Sequence, residues 1–272
     1  MKKKNALSSR MKENYENRSK TYLTRRVPCV LRLDGKAMHT FTKGFRRPYD
    51  EIFHTAMNET MKYLCENIQG CKIGYTQSDE ITLVLQDFDT PTTDAWFDYS
   101  VQKMCSIAAS MATLAFNRVF SQEIEKYSTN QDCDEKYYNT LKLASEKGAF
   151  FDCRCFSVPE DEVVNCLIWR QQDATRNAIQ MLGQTYFSQK ALNKKSNDDI
   201  QDMLMLEKKI NFNNMPAEFK RGICCVRREI QNPNVDIKDG AYLRRKWVLD
   251  KEIPIFTKDR EYIEKELKQD IV

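Results

Sequence analysis

Three strand-like apolar runs within the first 85 residues constrain the fold more than any other feature of the sequence. Residues 27–33 form the first run, which ends at Asp34-Gly35, and residues 72–75 and 81–85 form the second and third. Short apolar runs bounded by turn residues are typical of β-strands. The short polar gap between the last two runs predicts a hairpin.

Two helices are predicted around these strands. Asp50 is a natural N-cap for the first, whose apolar residues recur every three or four positions through residues 52–65. The second follows a cap at Thr93 or Asp94 and covers residues 96–120. The order strand, helix, strand, strand, helix predicts an α+β fold, a sheet with its helices packed on one face.

The second half of the chain is predicted to form a C-terminal α+β extension. The polar segment over residues 121–147 is the best candidate boundary, so we expect domains over residues 1–135 and 136–272. The remaining predicted elements are a polar helical stretch over residues 10–22, helices over residues 161–182 and 198–209, and strands over residues 223–230 and 246–255.

Composition permits several functions and excludes few. An apolar share of 41% and an aromatic share of 11% can build a core, and no apolar run reaches the length of about 18 residues that a membrane span needs. The net charge is only +4, but cations recur in adjacent pairs such as Arg46-Arg47 and Lys220-Arg221. Such pairs could assemble into a phosphate-binding face or could simply lie in solvent.

The ten cysteines favour a reduced, cytoplasmic protein. They are spread along the chain, unlike the dense framework of a small secreted protein. Cys153 and Cys155 are one residue apart, and Cys224 and Cys225 are adjacent. Neither pair has the two-residue gap of a zinc knuckle, so structural zinc is the lesser alternative.

Two carboxylates carry the sharpest chemical signal. Asp34 ends the first predicted strand, and Asp79 lies at the tip of the predicted hairpin. If these strands are neighbours, both carboxylates meet at one edge of the sheet, where they suit Mg²⁺ and phosphoryl transfer. The pattern alone leaves another interpretation open, in which both are ordinary turn residues.

Four motifs in order resemble the tRNA-His guanylyltransferase family. They are residues 32–39 with 45–50, residues 77–80, residues 169–173, and residues 210–216 with 219–222. The resemblance implies a polymerase- or cyclase-like palm, which is a ferredoxin-like antiparallel sheet with helices on one face, and an activity that extends RNA in the 3′-to-5′ direction. It also implies two Mg²⁺ ions, ATP and GTP or another NTP as substrates, tRNA as partner, and a tetramer.

The resemblance also implies roles for individual residues. Asp34, Asp79 and the backbone carbonyl of Gly35 would hold the metals. The nucleotide triphosphate would lie on the loop after Asp34, through Lys36, Ala37, Met38 and His39, assisted by Ser78. Arg47 stands where the family commonly has lysine, so a planar guanidinium group replaces a compact ammonium group. Further candidates for RNA or nucleotide contacts are Arg154, Arg170, Asp173, Asn177, Lys190, Asn213, Lys220 and Arg221.

One region departs from the family's best-known members. After Trp169 their helix continues into a histidine- and asparagine-rich motif, whereas residues 174–179 here contain no histidine. Residues 187–204 are similar to the tRNA-His guanylyltransferase-like subfamily, which is associated with tRNA 5′-end repair. We therefore expect templated repair after ATP-dependent activation of the 5′ end. The alternatives are strict addition of one G, an idle RNA-binding protein and a cyclase-like palm enzyme.

Overall fold

The computed structural model describes residues 6–231 and 243–268. In this part of the chain the strands form one antiparallel sheet in the order β4-β1-β3-β2-β5-β6. The strands are β1 (Cys29–Gly35), β2 (Cys71–Gln77), β3 (Glu80–Leu85), β4 (Phe151–Ser157), β5 (Ile223–Gln231) and β6 (Leu243–Asp250). The helices are α1 (Ala6–Asn14), α2 (Met38–Phe41), α3 (Glu51–Asn67), α4 (Val101–Ser128), α5 (Glu135–Lys147), α6 (Val163–Tyr186), α7 (Gln189–Leu192), α8 (Asn197–Lys208), α9 (Ala217–Arg221) and α10 (Glu261–Leu267).

The predicted α+β palm is confirmed. β2 and β3 form the expected hairpin, and β1 lies between β3 and β4 in antiparallel pairing. The spatial order β4-β1-β3-β2 is that of a ferredoxin-like unit, in which the first strand is central. Helices α3 and α4 cover one face of this unit, where Leu31, Leu33 and Leu83 are fully buried.

Asp50 caps α3 as predicted. Its Oδ1 atom accepts a hydrogen bond from the Phe53 N–H at 3.0 Å, which satisfies one of the free donors at the helix start. The stripe predicted for this helix is buried at Met57, Met61 and Leu64. Burial of each such side chain contributes about 1.5–3 kcal/mol, so this helix is firmly held against the sheet.

The long helix differs from its prediction at both ends. It begins at Val101 because Phe97, Asp98 and Tyr99 have φ values of 49°, 52° and 54°, outside the right-handed helical region. It continues to Ser128 because the buried stripe extends through Phe120 to Ile124. The side-chain pattern of residues 96–100 therefore did not reveal the turn before Val101. The polar composition of residues 121–128 did not reveal that this segment packs as part of the helix.

Two terminal elements are shorter than predicted. α1 ends at Asn14 and is followed by a 3₁₀ helix over Glu16–Ser19, whereas Tyr22 pairs with Ser100 in an isolated bridge. β6 ends at Asp250; beyond it Ile253 and Phe256 are buried against α6 rather than continuing the strand.

The sheet continues across the expected boundary at residue 135. β4 pairs with β1, and β5 pairs with β2, so both halves of the chain contribute strands to it. α6 packs on the second face, where Leu167 and Ala174 meet Tyr75. The division into two domains stays a prediction. No helix in the described ranges is both long and apolar enough to span a membrane.

Candidate active site

Asp34 and Asp79 lie at the same edge of the sheet, as predicted. Asp34 is the Cα partner of Glu80, the first residue of β3. The N–H of Gly35 donates to the carbonyl of Asp79 at 3.1 Å. The turn between β2 and β3 is tight because Ser78 adopts a left-handed conformation with φ of 55°. Its hydroxyl donates to Asp79 Oδ1 at 3.1 Å, which orients the carboxylate.

The electrostatics of this pair suit a cation. Burial raises the pKa of Asp79, and the negative charge of Asp34 raises it further. Two close carboxylates, one of them desolvated, form a donor set that a divalent cation would stabilise. Mg²⁺ commonly takes one or two carboxylates and completes its shell with water and phosphate, so the residues fit it. Among the described residues no group of three or more His, Cys, Asp or Glu side chains could hold a metal.

Two cavities meet at these carboxylates. The larger is about 400 Å³ and the smaller about 150 Å³. Ser78, Asp79 and Asn177 line both, and Asp34 lines the smaller. The larger cavity is also lined by Met38, His39, Thr42, Phe45, Arg46, Arg47, Pro48, Asp50, Phe53, Gln180, Met181 and Gln184. Its size suits a small-molecule ligand.

The loop after Asp34 is only partly available to a ligand. The N–H of Lys36 donates to the carbonyl of Phe150 at 2.8 Å, and that of Gly35 is also used within the chain. The N–H groups of Ala37, Met38 and His39 form no hydrogen bond within the described residues. Met38 is buried and His39 is exposed, and both line the larger cavity. Consecutive free amides of this kind can bind phosphate.

The two arginines of the first motif have different surroundings. Arg47 is exposed at the larger cavity. Arg46 lies over the ring of Tyr137, with its guanidinium carbon 4.2 Å from the ring centroid, and donates to the hydroxyl of Tyr127 at 2.9 Å. Arg47 is therefore the freer of the two to meet a phosphate.

Arg170 has a structural partner that its motif did not indicate. Its Nε and Nη2 atoms donate to the two oxygens of Glu80 at 2.6 and 2.7 Å. Nη2 also donates to Asp173 at 3.0 Å, and only 11% of the Arg170 side chain is exposed. Arg170 and Asp173 lie on one polar face of α6. This face is directed at the turn that carries Asp79, and its charges are already paired.

The other candidate contacts are dispersed. Arg154 is exposed on β4 opposite Arg32, and Lys190 is exposed on α7. Lys220 and Arg221 end α9 and line, with Asn213, a third cavity along α6. The tertiary structure therefore brings only Asn177 among the remaining candidates to the carboxylates.

Sequence reasoning missed two residues that build the site. Glu80 holds Arg170, and Tyr137 donates its hydroxyl to Asp50 Oδ2 at 2.7 Å. Glu80 belongs to the recognised second motif, which was a usable signal. No sequence signal identified Tyr137, since it lies 87 positions from its partner Asp50.

The cysteines are all free. The Sγ atoms of Cys105 and Cys155 lie 3.6 Å apart. Burial raises the pKa of the Cys155 thiol to about 12, which makes it a poor nucleophile.

The chain is similar to several known proteins. A profile of the family "Thg1: tRNAHis guanylyltransferase" matches residues 8–159. The uncharacterised protein R259 of Acanthamoeba polyphaga mimivirus is 32% identical, with 76% of this chain and 72% of that protein covered. The tRNA(His) guanylyltransferase of Saccharomyces cerevisiae is 26% identical, with 76% of this chain and 85% of that protein covered.

Solved structures are similar over almost the whole chain. A bacterial tRNA(His) guanylyltransferase (Thg1)-like protein in complex with ATP is 41% identical, with a TM-score of 0.79 and coverage of 96% of this chain and 99% of that one. A bacterial Thg1-like protein in complex with GTP is 38% identical, with a TM-score of 0.76 and coverage of 97% and 99%. Because the profile spans more than half of the residues and the fold agrees along the chain, this protein belongs to the tRNA-His guanylyltransferase family of nucleotidyltransferases.

Proposed function

We propose that this chain is a template-directed 3′-to-5′ nucleotidyltransferase that adds NTPs to the 5′ end of tRNA and so repairs truncated ends. The observation that carries the proposal is the placement of Asp79 at the junction of two cavities, with Asp34 in the lining of the smaller one. One cavity can take an incoming nucleotide while the other leaves the reacting phosphate accessible. Membership of a tRNA nucleotidyltransferase family supplies the substrate class.

Asp34, Asp79 and the carbonyl of Gly35 would hold two Mg²⁺ ions. When bound, Mg²⁺ neutralises phosphate charge and activates a hydroxyl for attack. The chain positions these ligands through β1, through the turn at Ser78 and through the Gly35–Asp79 backbone hydrogen bond. Catalysis then consists mainly of positioning and charge stabilisation.

The larger cavity would hold the incoming NTP. The free amides of Ala37, Met38 and His39 face the triphosphate in this arrangement, and Arg47 adds a charge-assisted contact. Phe45 and Phe53 supply an apolar wall for the base or sugar.

The bonds made and broken balance in three steps. The 5′-phosphate of the tRNA attacks ATP, which forms an adenylylated end and releases pyrophosphate. The 3′-hydroxyl oxygen of the NTP then attacks the activated 5′-phosphorus, loses its proton and displaces AMP. The new end carries the triphosphate of the added NTP; attack by water on its α-phosphorus can then break the α–β bond, which releases pyrophosphate and leaves a 5′-monophosphate.

Template pairing is favoured over protein readout of the base. Residues 174–179 lack the histidine of the motif linked to tRNA-His recognition. Amide contacts to phosphate carry no base information. The higher identity is to the Thg1-like structures, at 41%, rather than to the yeast guanylyltransferase, at 26%. Strict addition of a single G is the second candidate, supported by the activity named for the curated relatives.

A templated addition assay separates the two candidates. Purified protein with Mg²⁺ and ATP is offered a tRNA that lacks its first nucleotide, with the opposing base of the acceptor strand varied through all four identities. Each NTP is supplied separately. We expect addition of the complementary nucleotide in every case, with little effect of the anticodon. Addition of G whatever the opposing base, or a strict need for the histidine anticodon, would favour the guanylyltransferase.

A further inference from the structure

A basic groove of about 730 Å³ lies along α6 beside the smaller catalytic cavity. Its cations are Arg176, Lys220 and Arg221, and no described residue that lines it is acidic. Trp169 also lines it and is followed in the helix by Arg170, which lines the smaller cavity. Adjacent residues of α6 therefore line the groove and the smaller cavity.

Two of the cations are oriented but not neutralised. Within the described residues neither Lys220 nor Arg221 forms an ion pair. Lys220 donates to the carbonyl of Asn213, and Arg221 Nε donates to the carbonyl of Ile253 at 2.8 Å. Burial lowers the pKa of Lys220, and the charge of Arg221 lowers it further. An anionic ligand would stabilise both charges.

The exposure and orientation of the Trp169 ring suit stacking with a planar ligand. It is 47% exposed, whereas Trp96 and Trp247 are 8% and 9% exposed. The guanidinium carbons of Arg170 and Arg32 lie 4.5 and 5.7 Å from the centroid of its ring, which fixes the ring's orientation. An exposed aromatic ring beside cations is the arrangement that binds unpaired nucleotides.

We propose that this groove binds an unpaired RNA segment, with a base stacked on Trp169 and phosphates held by Lys220 and Arg221. The inference rests on the proposed function, since the RNA in question is the tRNA being extended. Its single-stranded 3′ end is the unpaired segment nearest the reacting 5′ end. A nucleoside triphosphate is the weaker occupant, because it carries Mg²⁺ and the groove offers no carboxylate for the metal.

Tryptophan fluorescence tests the stacking directly. The protein is titrated in EDTA, so that no nucleotide is added, with a six-nucleotide single-stranded RNA, a blunt RNA duplex or ATP. Because Trp169 is the one exposed indole of the three, we expect saturable quenching by the single strand and much less by the duplex or by ATP. Trp169→Phe should lose the quenching yet keep binding of labelled RNA. Trp169→Ala should weaken that binding about tenfold.

The phosphate contacts have their own test. Lys220→Ala should reduce the slope of log affinity against log salt by about 0.7, the value for one contact with a single strand. Lys142→Ala, which removes an exposed cation from α5, is the matched control and should leave the slope unchanged.

The outcomes separate this inference from the proposed function. Quenching by ATP but not by RNA would overturn it and assign the groove to a nucleotide. If the fluorescence of Trp169 changes when the protein is diluted but not when RNA is added, the RNA-binding proposal is overturned and the groove is assigned to self-association. Templated addition with no quenching would reject the groove alone. Quenching without templated addition would support the groove and reject the repair function.

Discussion

Arg170 on α6 forms a two-pronged ion pair with Glu80 at the start of β3, with N–O distances of 2.6 and 2.7 Å. Glu80 follows Asp79 directly, and its Cα is paired with Asp34. The pair therefore ties the helix from the second half of the chain to both carboxylates of the candidate site. Its two side chains are only 11% and 19% exposed, so it is screened less by solvent than a surface pair.

Substitution of this pair should change catalysis more than nucleotide affinity. Arg170→Lys keeps the charge but loses the planar fork. We expect the kcat for nucleotide addition to fall about tenfold or more, with a much smaller change in KM for the NTP, because Asp79 loses its support. Arg228→Lys, in a similar pair with Glu266 at 2.7 Å, is the control. Equal losses in both variants would show that the Arg170 effect is not specific to the site.

Asp34→Asn and Asp79→Asn should each abolish nucleotide addition while the fold persists. Each removes a charged carboxylate that we propose binds Mg²⁺, rather than a packing group. Addition is measured with labelled NTP, and the fold by circular dichroism. Asp202→Asn, at an exposed position on α8, should retain full activity. Appreciable turnover by either site variant would reject the two-carboxylate assignment.

Arg47→Ala should weaken NTP use more than tRNA binding. One charge-assisted hydrogen bond is worth about 1.5–3 kcal/mol, which corresponds to a roughly 10- to 150-fold rise in apparent KM for the NTP. Lys43→Ala removes an exposed cation from the same loop without altering the cavity lining. An unchanged NTP affinity in Arg47→Ala would place that side chain with the RNA or in solvent.

The raised pKa of Asp79 makes a prediction about stability. Burial and Asp34 raise the pKa in the folded state, so the folded protein binds this proton more tightly than the unfolded chain does. The resulting stabilisation is present at low pH and is lost as pH rises through the folded-state pKa. In metal-free buffer, Asp79→Asn should therefore have a higher Tm than the parent near pH 7. The difference should shrink towards pH 3, and Mg²⁺ should raise the Tm of the parent alone. A lower Tm for the variant at pH 7 would contradict this.

His54 should contribute to acid unfolding. Burial lowers its pKa from 6.5 to about 4, with a smaller contribution from the charge of Lys251. Because the unfolded chain then binds the proton more tightly, stability is lost as pH falls from about 6.5 to 4, by at most on the order of 3 kcal/mol. Glu218 lies 4.0 Å away and opposes this shift, so the loss should be smaller. His54→Gln should flatten the fall in Tm over that range; an unchanged profile would contradict the assignment.

Local sequence determined most of the helices and strands and indicated the sheet edge that carries the candidate site. Strand periodicity, the Asp50 cap and the short hairpin each depend on neighbouring residues, so the pattern predicted them. It also predicted that Asp34 and Asp79 would meet if their strands were neighbours. The helix prediction was wrong at residues 96–100, where Phe97, Asp98 and Tyr99 have positive φ values. There the carbonyl of Tyr99 accepts a hydrogen bond from the N–H of Leu23. The helical periodicity of apolar side chains carries no information about such a turn.

Tertiary structure decided which candidate residues are free to act. Arg170 meets Glu80 across 90 positions, and Tyr137 meets Asp50 across 87. The amide of Lys36 is satisfied by Phe150, which enters the site only because β4 pairs with β1. Whether a charge is paired or available depends on which distant element packs against it. Sequence by itself therefore indicated which side chains form the candidate site at the sheet edge, whereas packing of α5, α6 and β4 decided how those side chains are held.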